Sequence, residues 1–246
     1  MNFSNDEVDN WNSLAASYWN SRPSRQKWVH EYVLFPKYTE LLSQLANSKI
    51  LDYGCGDGFL YKKLFDRFPH LDIYAYDESK EMYTIASDVI AEDKLLFSLD
   101  NKQFDIIILN MVIQDVENVV QCISKLRTSL HKKGTLIIAL PHPVFSLIEK
   151  DHLTTKRERI KPSKEKGIYR YSLEESERVF WEVTTGCHTK LFNRTMETYS
   201  NLFCEAGFHI VSIKEPQPID EGICEPDLYN IHRQIPRTMM FLLQAI

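Results

Sequence analysis

The sequence predicts an α/β domain: a parallel sheet with helices packed on both faces. Three observations carry this. Short apolar runs recur with helical patterns between them. The run Phe104–Leu109 (FDIIIL) is continuously apolar, as a strand buried on both faces has to be. A cluster of glycines follows directly on the first run, where a strand must turn into a helix.

In order along the chain, Lys49–Tyr53 (KILDY) reads as the first strand. A helical period spans Phe59–Phe68, and Pro69 ends it because its ring cannot continue the helix. Asp72–Tyr76 is a second strand. Ser79 can cap a helix through about Val89, which places Met82, Ile85 and Ala86 on one face. Lys94–Leu99 and Phe104–Leu109 are the third and fourth strands. A helix follows from about Val116 to Leu130, with Asp115 suited to its N-cap, and Gly134 precedes a fifth strand, Thr135–Leu140.

After Pro141 the alternation stops. Residues 142–191 lack a long helical period, and Lys150–Arg170 holds eight Lys/Arg against three Asp/Glu. Regularity returns with a helix at about Arg194–Ala206, stopped by Gly207, then strands at Phe208–Lys214 and Thr238–Ile246. Residues 1–47 are mostly helical in pattern. The chain is therefore read as one domain, 1–246. It has a helical lid over 1–47, a core over 48–141, an insertion over one edge at 142–191, and a closing helix and strands over 192–246.

The 246 residues are 43% hydrophobic, 12% aromatic and 26% charged, which excludes disorder as the general state. Only 8 Gly and 10 Pro exclude collagen-like sequence. No apolar run reaches the roughly 18 residues that a membrane helix needs. The polar start MNFSNDEVDN does not read as a secretory signal, and Asn2 stands where myristoylation requires glycine. A net charge of −5 argues against a dedicated nucleic-acid binder. Cys55, Cys122, Cys187, Cys204 and Cys224 are odd in number, widely spaced and without a Cys-x-x-Cys pair. A cytoplasmic location follows as an expectation, with no disulfide and no metal site. The oligomeric state is not legible.

Chemistry concentrates at Asp52-Tyr53-Gly54-Cys55-Gly56-Asp57-Gly58, between a strand and a helix. Glycines there let a ligand approach bare backbone, and the following helix points its amides and positive dipole end at the same spot. Asp77 ends the next strand, where a carboxylate can accept both hydroxyls of a ribose. A dinucleotide site would ask for Gly-x-Gly-x-x-Gly, but here Phe59 takes the last place and the third glycine, Gly58, comes one residue early.

This Gly-x-Gly-x-Gly behind an acidic strand residue resembles motif I of the class I S-adenosylmethionine-dependent methyltransferases. Other segments carry the same resemblance. Asn110–Asp115 (NMVIQD) is similar to the stretch after the family's fourth strand, and Leu130–Leu140 to its turn into strand five, with Lys133 in place of a glycine. Pro141-His142-Pro143-Val144-Phe145 resembles a His-Pro-x-Phe segment of small-molecule members. Asn193–Phe208 resembles the helix and Ala-Gly-Phe turn before strand six, and Trp11–Trp19 the lid helix. The likeness covers most of 1–141 and 192–246 and is specific for cofactor and fold rather than for substrate.

The resemblance implies a Rossmann-like doubly wound sheet of about seven strands with the last antiparallel, a helical lid, and an insertion after strand five on the substrate side. It implies that S-adenosylmethionine is bound by the core. Gly54, Cys55, Gly56 and Gly58 would pass along its methionine part. Asp52 would orient the loop or meet its amino group, Asp77 would hold the ribose hydroxyls, and Asn110 would face the amino-acid end. Tyr18 would close over it from the lid. Glu78, beside Asp77, either flanks the ribose or is ordinary surface packing. The sequence departs from the family in the link to strand four, where only Ser98–Gln103 intervene, so Asp100 or the backbone near Leu99 is left to meet the adenine.

Methyl transfer needs alignment and exclusion of water, with a general base only for a hydroxyl or ammonium acceptor. His142, just past strand five, and His188, in the insertion, are candidates for that base; His142 could equally shape a turn. His30 and His209 read as packing and strand residues. The basic stretch could guide an anionic substrate or be a solvated loop. The leading expectation is methyl transfer to a small-molecule acceptor. Against it stand an RNA or protein methyltransferase, a non-catalytic cofactor-binding partner subunit, and a nucleotide-dependent oxidoreductase.

Overall fold

The computed structural model describes residues 11–12, 14–15, 24–144, 179–184, 187–192 and 194–246. Its strands are β1 (Lys49–Tyr53), β2 (Asp72–Tyr76), β3 (Leu95–Leu96), β4 (Phe104–Asn110), β5 (Leu130–Pro141), β6 (Val179–Thr184), β7 (Cys187–Leu191), β8 (Phe208–Lys214) and β9 (Thr238–Ala245). Its helices are α1 (Ser24–Val29), α2 (Phe35–Leu42), α3 (Phe59–Arg67), α4 (Lys80–Ala86), α5 (Val119–Thr128), α6 (Met196–Glu205) and α7 (Pro226–Gln234). A π-helical turn, His30–Leu34, joins α1 to α2.

Seven strands form one sheet in the order β3-β2-β1-β4-β5-β9-β8. Neighbours from β3 to β5 run parallel, and β9 is antiparallel to both β5 and β8. The predicted doubly wound sheet with its antiparallel last strand is what the chain adopts. Strand order reverses between β1 and β4, so the crossover connections leave to opposite faces and open a crevice at the strand ends there. β6 and β7 form a separate two-stranded hairpin, which the sequence pattern did not foretell.

Side chains alternate between two cores because successive strand residues point to opposite faces. Leu51, Tyr53, Ile107 and Leu109 pack with α5 and α6 residues such as Ile123 and Phe203. Ile50, Ile106 and Ile108 face the other way, against Tyr38 and Leu42 of α2 and Leu64 of α3. This two-sided burial is why β4 is apolar at every position from Ile106 to Leu109.

Several boundaries differ from the sequence expectation, each for a local reason. The third strand pairs only through Leu95 and Leu96, because the chain then turns, with Ser98 Oγ donating to Asp100 and Asn101 at φ 57°. β5 begins at Leu130 rather than Thr135: Leu130 pairs with Phe104 before a register shift, and Lys133 turns at φ 62°. Helix α5 is capped by Asn118, whose Oδ1 accepts from Gln121 N at 3.1 Å, not by Asp115, which lies in a 3-10 turn over Ile113–Asp115. Ser79 does cap its helix, accepting from Met82 N at 3.2 Å. α7 had no sequence counterpart. Among the described residues no helix is long and apolar enough to cross a membrane.

Replacing Asn118 with Ala removes the α5 cap and should cost about 1 kcal/mol in urea unfolding. An unchanged midpoint would return the capping role to another residue.

Candidate functional site

The loop after β1 is drawn against β2 by backbone bonds: Gly54 N and Cys55 N donate to Tyr76 O at 2.8 and 3.1 Å. Gly54 sits at φ +72°, and a Cβ there would lie 2.6 Å from Val112 Cγ2, so both its conformation and the nearness of the chain beyond β4 demand glycine. Gly56 is different. A Cβ on it would meet nothing within 4 Å and would project into open space on the cavity wall. Gly58 ends the loop as the residue that caps α3.

Asp77 fastens this loop. Its Oδ2 accepts from Gly56 N at 2.8 Å and its Oδ1 from Ser79 N at 2.9 Å. The carboxylate thus ties the end of β2 both to the glycine turn and to the start of α4. Burial, opposed by these two N–H donors, raises its pKa to about 6. Asp52, one strand over, is buried, and neither oxygen stands in hydrogen-bond geometry with a described group. Burial, then the Asp77 and Asp57 carboxylates, push it up to about 7, the Tyr61 backbone amide acting in the opposite sense.

The cavity at the tip of β1 is walled by the loop 52–57, by Asp77, Glu78 and Ser79 on the β2 side, and by Asn110, Met111, Val112 and Asp115 on the β4 side. Phe59, Leu60 and Met82 give apolar surface, and Trp11 and His30 reach it from the N-terminal region. Ser79 Oγ donates to Asn12 Oδ1 at 2.8 Å, so the chain around residue 12 adjoins the β2 side. Glu78 pairs with Lys125 at 3.3 Å. Asp52, Asp57, Asp77, Glu78 and Asp115 make this wall acidic, and no Lys or Arg is among its described lining residues. It suits a ligand with a cationic part.

Of the residues singled out in the sequence, Asp52, Gly54, Cys55, Gly56, Asp77, Glu78 and Asn110 come together on this cavity. Asp100 does not line it; it is exposed in the turn before β4, held by Ser98. His142 also lies off the wall. Its Nδ1 accepts from Val144 N at 3.2 Å and its Nε2 donates to Glu215 at 3.1 Å. Both ring nitrogens are committed to the turn after β5, and burial lowers the pKa against the pull of Glu215. The turn-shaping alternative is the one this geometry displays. His188 is on β7, opposite Glu182, with its side chain outside the described residues, and Tyr18 also lies outside them.

Sequence reasoning passed over His30, Trp11 and Phe59. His30 was read as packing, yet Asn110 Nδ2 donates to its Nδ1 at 3.2 Å. No local signal marks it, since its place depends on how the helices before β1 lie across the sheet.

A family model described as a methyltransferase domain matches residues 25–213. A malonyl-[acyl-carrier protein] O-methyltransferase of Acetivibrio thermocellus is 33% identical over 124 residues, 47% of this chain and 44% of that protein. The chain spans about half the length of the curated relatives it matches. Among solved structures, an S-adenosylmethionine-dependent methyltransferase of Mesorhizobium loti superposes with a TM-score of 0.62 at 20% identity, covering 85% of this chain and 96% of that one. Magnesium protoporphyrin IX methyltransferase of Synechocystis with bound SAH superposes with a TM-score of 0.60 at 15% identity, covering 97% of each chain. These two likenesses are of fold.

Gly54→Ala should lower stability by about 2–3 kcal/mol, from the left-handed backbone and the clash with Val112. Combining it with Val112→Ala in urea unfolding should give a loss smaller than the sum of the two. Strict additivity would mean the close approach is not what forbids a side chain.

Asp52 binds its proton more tightly folded than unfolded, so its burden on stability is absent near pH 4 and grows as pH rises through about 7. Asp52→Asn should match the wild type near pH 4, gain on it between about pH 4 and 7 and level off above, by about 4 kcal/mol at most. A gain independent of pH, read by denaturant unfolding at each pH, would contradict the elevated pKa.

Proposed function

The chain belongs to the methyltransferase domain family, and from that premise we propose that it is an S-adenosylmethionine-dependent methyltransferase that methylates a small-molecule acceptor by in-line displacement at the tip of β1. The residues present fit the cofactor. Gly56 leaves room where any side chain would intrude, Asp52 offers a buried carboxylate with no described side-chain partner, and the acidic wall suits a sulfonium and an ammonium. When bound, S-adenosylmethionine supplies an electrophilic methyl group on a good leaving group.

The chain's own part is to bind and to orient. Asp77 receives the ribose hydroxyls, with Glu78 beside it. Gly54, Cys55 and Gly56 lay backbone along the methionine part, whereas Gly58 is not in the described lining and instead starts α3 against Val89 and Ile90. Asp52 stands beneath its positive end, and Asn110 faces it from β4. Tyr18 and His188, whose side chains lie outside the described residues, stand as proposals for contacting the nucleoside and the acceptor. Asp100 is not among the described lining residues and is not assigned the adenine, and His142 acts through the turn it holds. The acceptor enters on the side of Met111, Val112 and Asp115, where apolar surface excludes water and one carboxylate can accept a hydrogen bond. The methylated substrate of the curated relatives, a malonyl group on a carrier protein, is one acceptor to include in a screen.

The observation that carries the proposal is the Asp77 carboxylate, half-buried at the cavity end and fixed by two backbone N–H groups beside the open glycine turn. Asp77→Ala should weaken S-adenosylmethionine binding in calorimetry by more than about tenfold, or 1.4 kcal/mol. An unchanged dissociation constant would remove the ribose assignment. Incubation with methyl-labelled cofactor and a cell extract should put label in small molecules, counting those released from carrier protein by thioester cleavage; label in RNA, or in protein after that cleavage, would overturn the acceptor class.

A further inference from the structure

We propose that His30 binds the carboxylate of the cofactor's amino-acid end, and that Asn110 and Tyr38 hold its imidazole in the tautomer needed to do so. The inference rests on the methyltransferase reading of the cavity and adds a residue to it.

Three observations meet at this ring. The first is a chain of hydrogen bonds. Tyr38 Oη donates to Asn110 Oδ1 at 3.2 Å, and Asn110 Nδ2 donates to His30 Nδ1 at 3.2 Å. Tyr38 remains a donor because burial, and then the Asp52 carboxylate, hold its hydroxyl well above the usual phenol range. An amide so oriented turns its NH2 to the ring, making Nδ1 the acceptor and leaving the proton on Nε2. His30 is thus presented as a donor.

The second is position. Asn110 ends β4, and the Phe59 ring, on the first residue of α3, meets the His30 ring edge-on with centroids 5.8 Å apart. His30 therefore sits between the end of β4 and the start of α3. Asp77 ends β2, and the order β2-β1-β4 places it across β1 from Asn110. A ligand whose ribose meets Asp77 and which lies over the glycine turn brings its other end to the β4 side, where His30 stands.

The third is charge. The described wall carries five carboxylates and no Lys or Arg. That suits the sulfonium and ammonium of the ligand but not its carboxylate. Ser79 is engaged with Asn12 and the α4 cap, and Asn110 with Tyr38 and His30. With Nδ1 accepting from Asn110, the His30 ring directs an N–H donor toward this end of the described wall. A charged partner strengthens such a bond.

The test compares S-adenosylmethionine with decarboxylated S-adenosylmethionine, which differ only in this carboxylate, by calorimetry. The wild type should bind the complete cofactor about tenfold more tightly than the decarboxylated form. His30→Ala should erase most of that preference by weakening the complete cofactor alone, the decarboxylated form binding as in the wild type. His30→Gln, which keeps an N–H donor and guards against a misfolded alanine variant, should restore part of it. Tyr38→Phe should lose a smaller share through the released amide.

Equal weakening of both ligands by His30→Ala, or of neither, would overturn the proposal while leaving the methyltransferase reading in place. A wild type that takes up neither ligand would overturn both.

Discussion

The carboxylate of Asp77, shared between Gly56 N–H and Ser79 N–H, is the interaction on which the site depends. Through it the turn after β1 is tied, across 21 residues of sequence, to the junction where β2 ends and α4 begins. Charge-assisted bonds to backbone N–H groups are roughly twice as strong as neutral ones. The backbone of the turn is consequently set before any ligand arrives, and little ordering is left for binding to supply.

That fixation carries an electrostatic burden. Asp52 and Asp77 lie near each other under little solvent, and burial raises both, to about 7 and about 6. Two ionised carboxylates so placed oppose folding near neutral pH unless a positive group joins them. A sulfonium–ammonium ligand is such a group. The stability given up by the empty fold is therefore the same free energy that favours the cofactor over a neutral analogue, a trade that active sites commonly make.

The core was legible because strand periodicity and two-sided burial are written residue by residue. Phe104–Leu109 announced its strand through unbroken apolarity, and Ser79 announced its cap. The glycine turn and Asp77 were legible for the same reason, since each role depends on residue type at a fixed offset from a strand end. What was not legible depends on tertiary placement. His30 joins the cavity only because the π-helical turn at His30–Leu34 and α2 pack across the sheet above β4. Asp115 had a capping side chain, but the 3-10 turn delayed the helix until Asn118. His142 had the chemistry of a base, and the Val144 amide and Glu215 took both its nitrogens.

The brevity of β3 has an outcome at the rim of the sheet. An outermost strand is a template on which another chain can add, and its danger grows with its length and flatness. Here only Leu95 and Leu96 pair with β2, and Lys94, bound to Asp72 at 2.6 Å, sets an ammonium beside them. The opposite rim, β8, is longer, but its pairing with β9 slips between Ile210 and Ser212 and kinks the ladder. Both borders of the described sheet are thus interrupted, which disfavours the addition of another copy edge to edge.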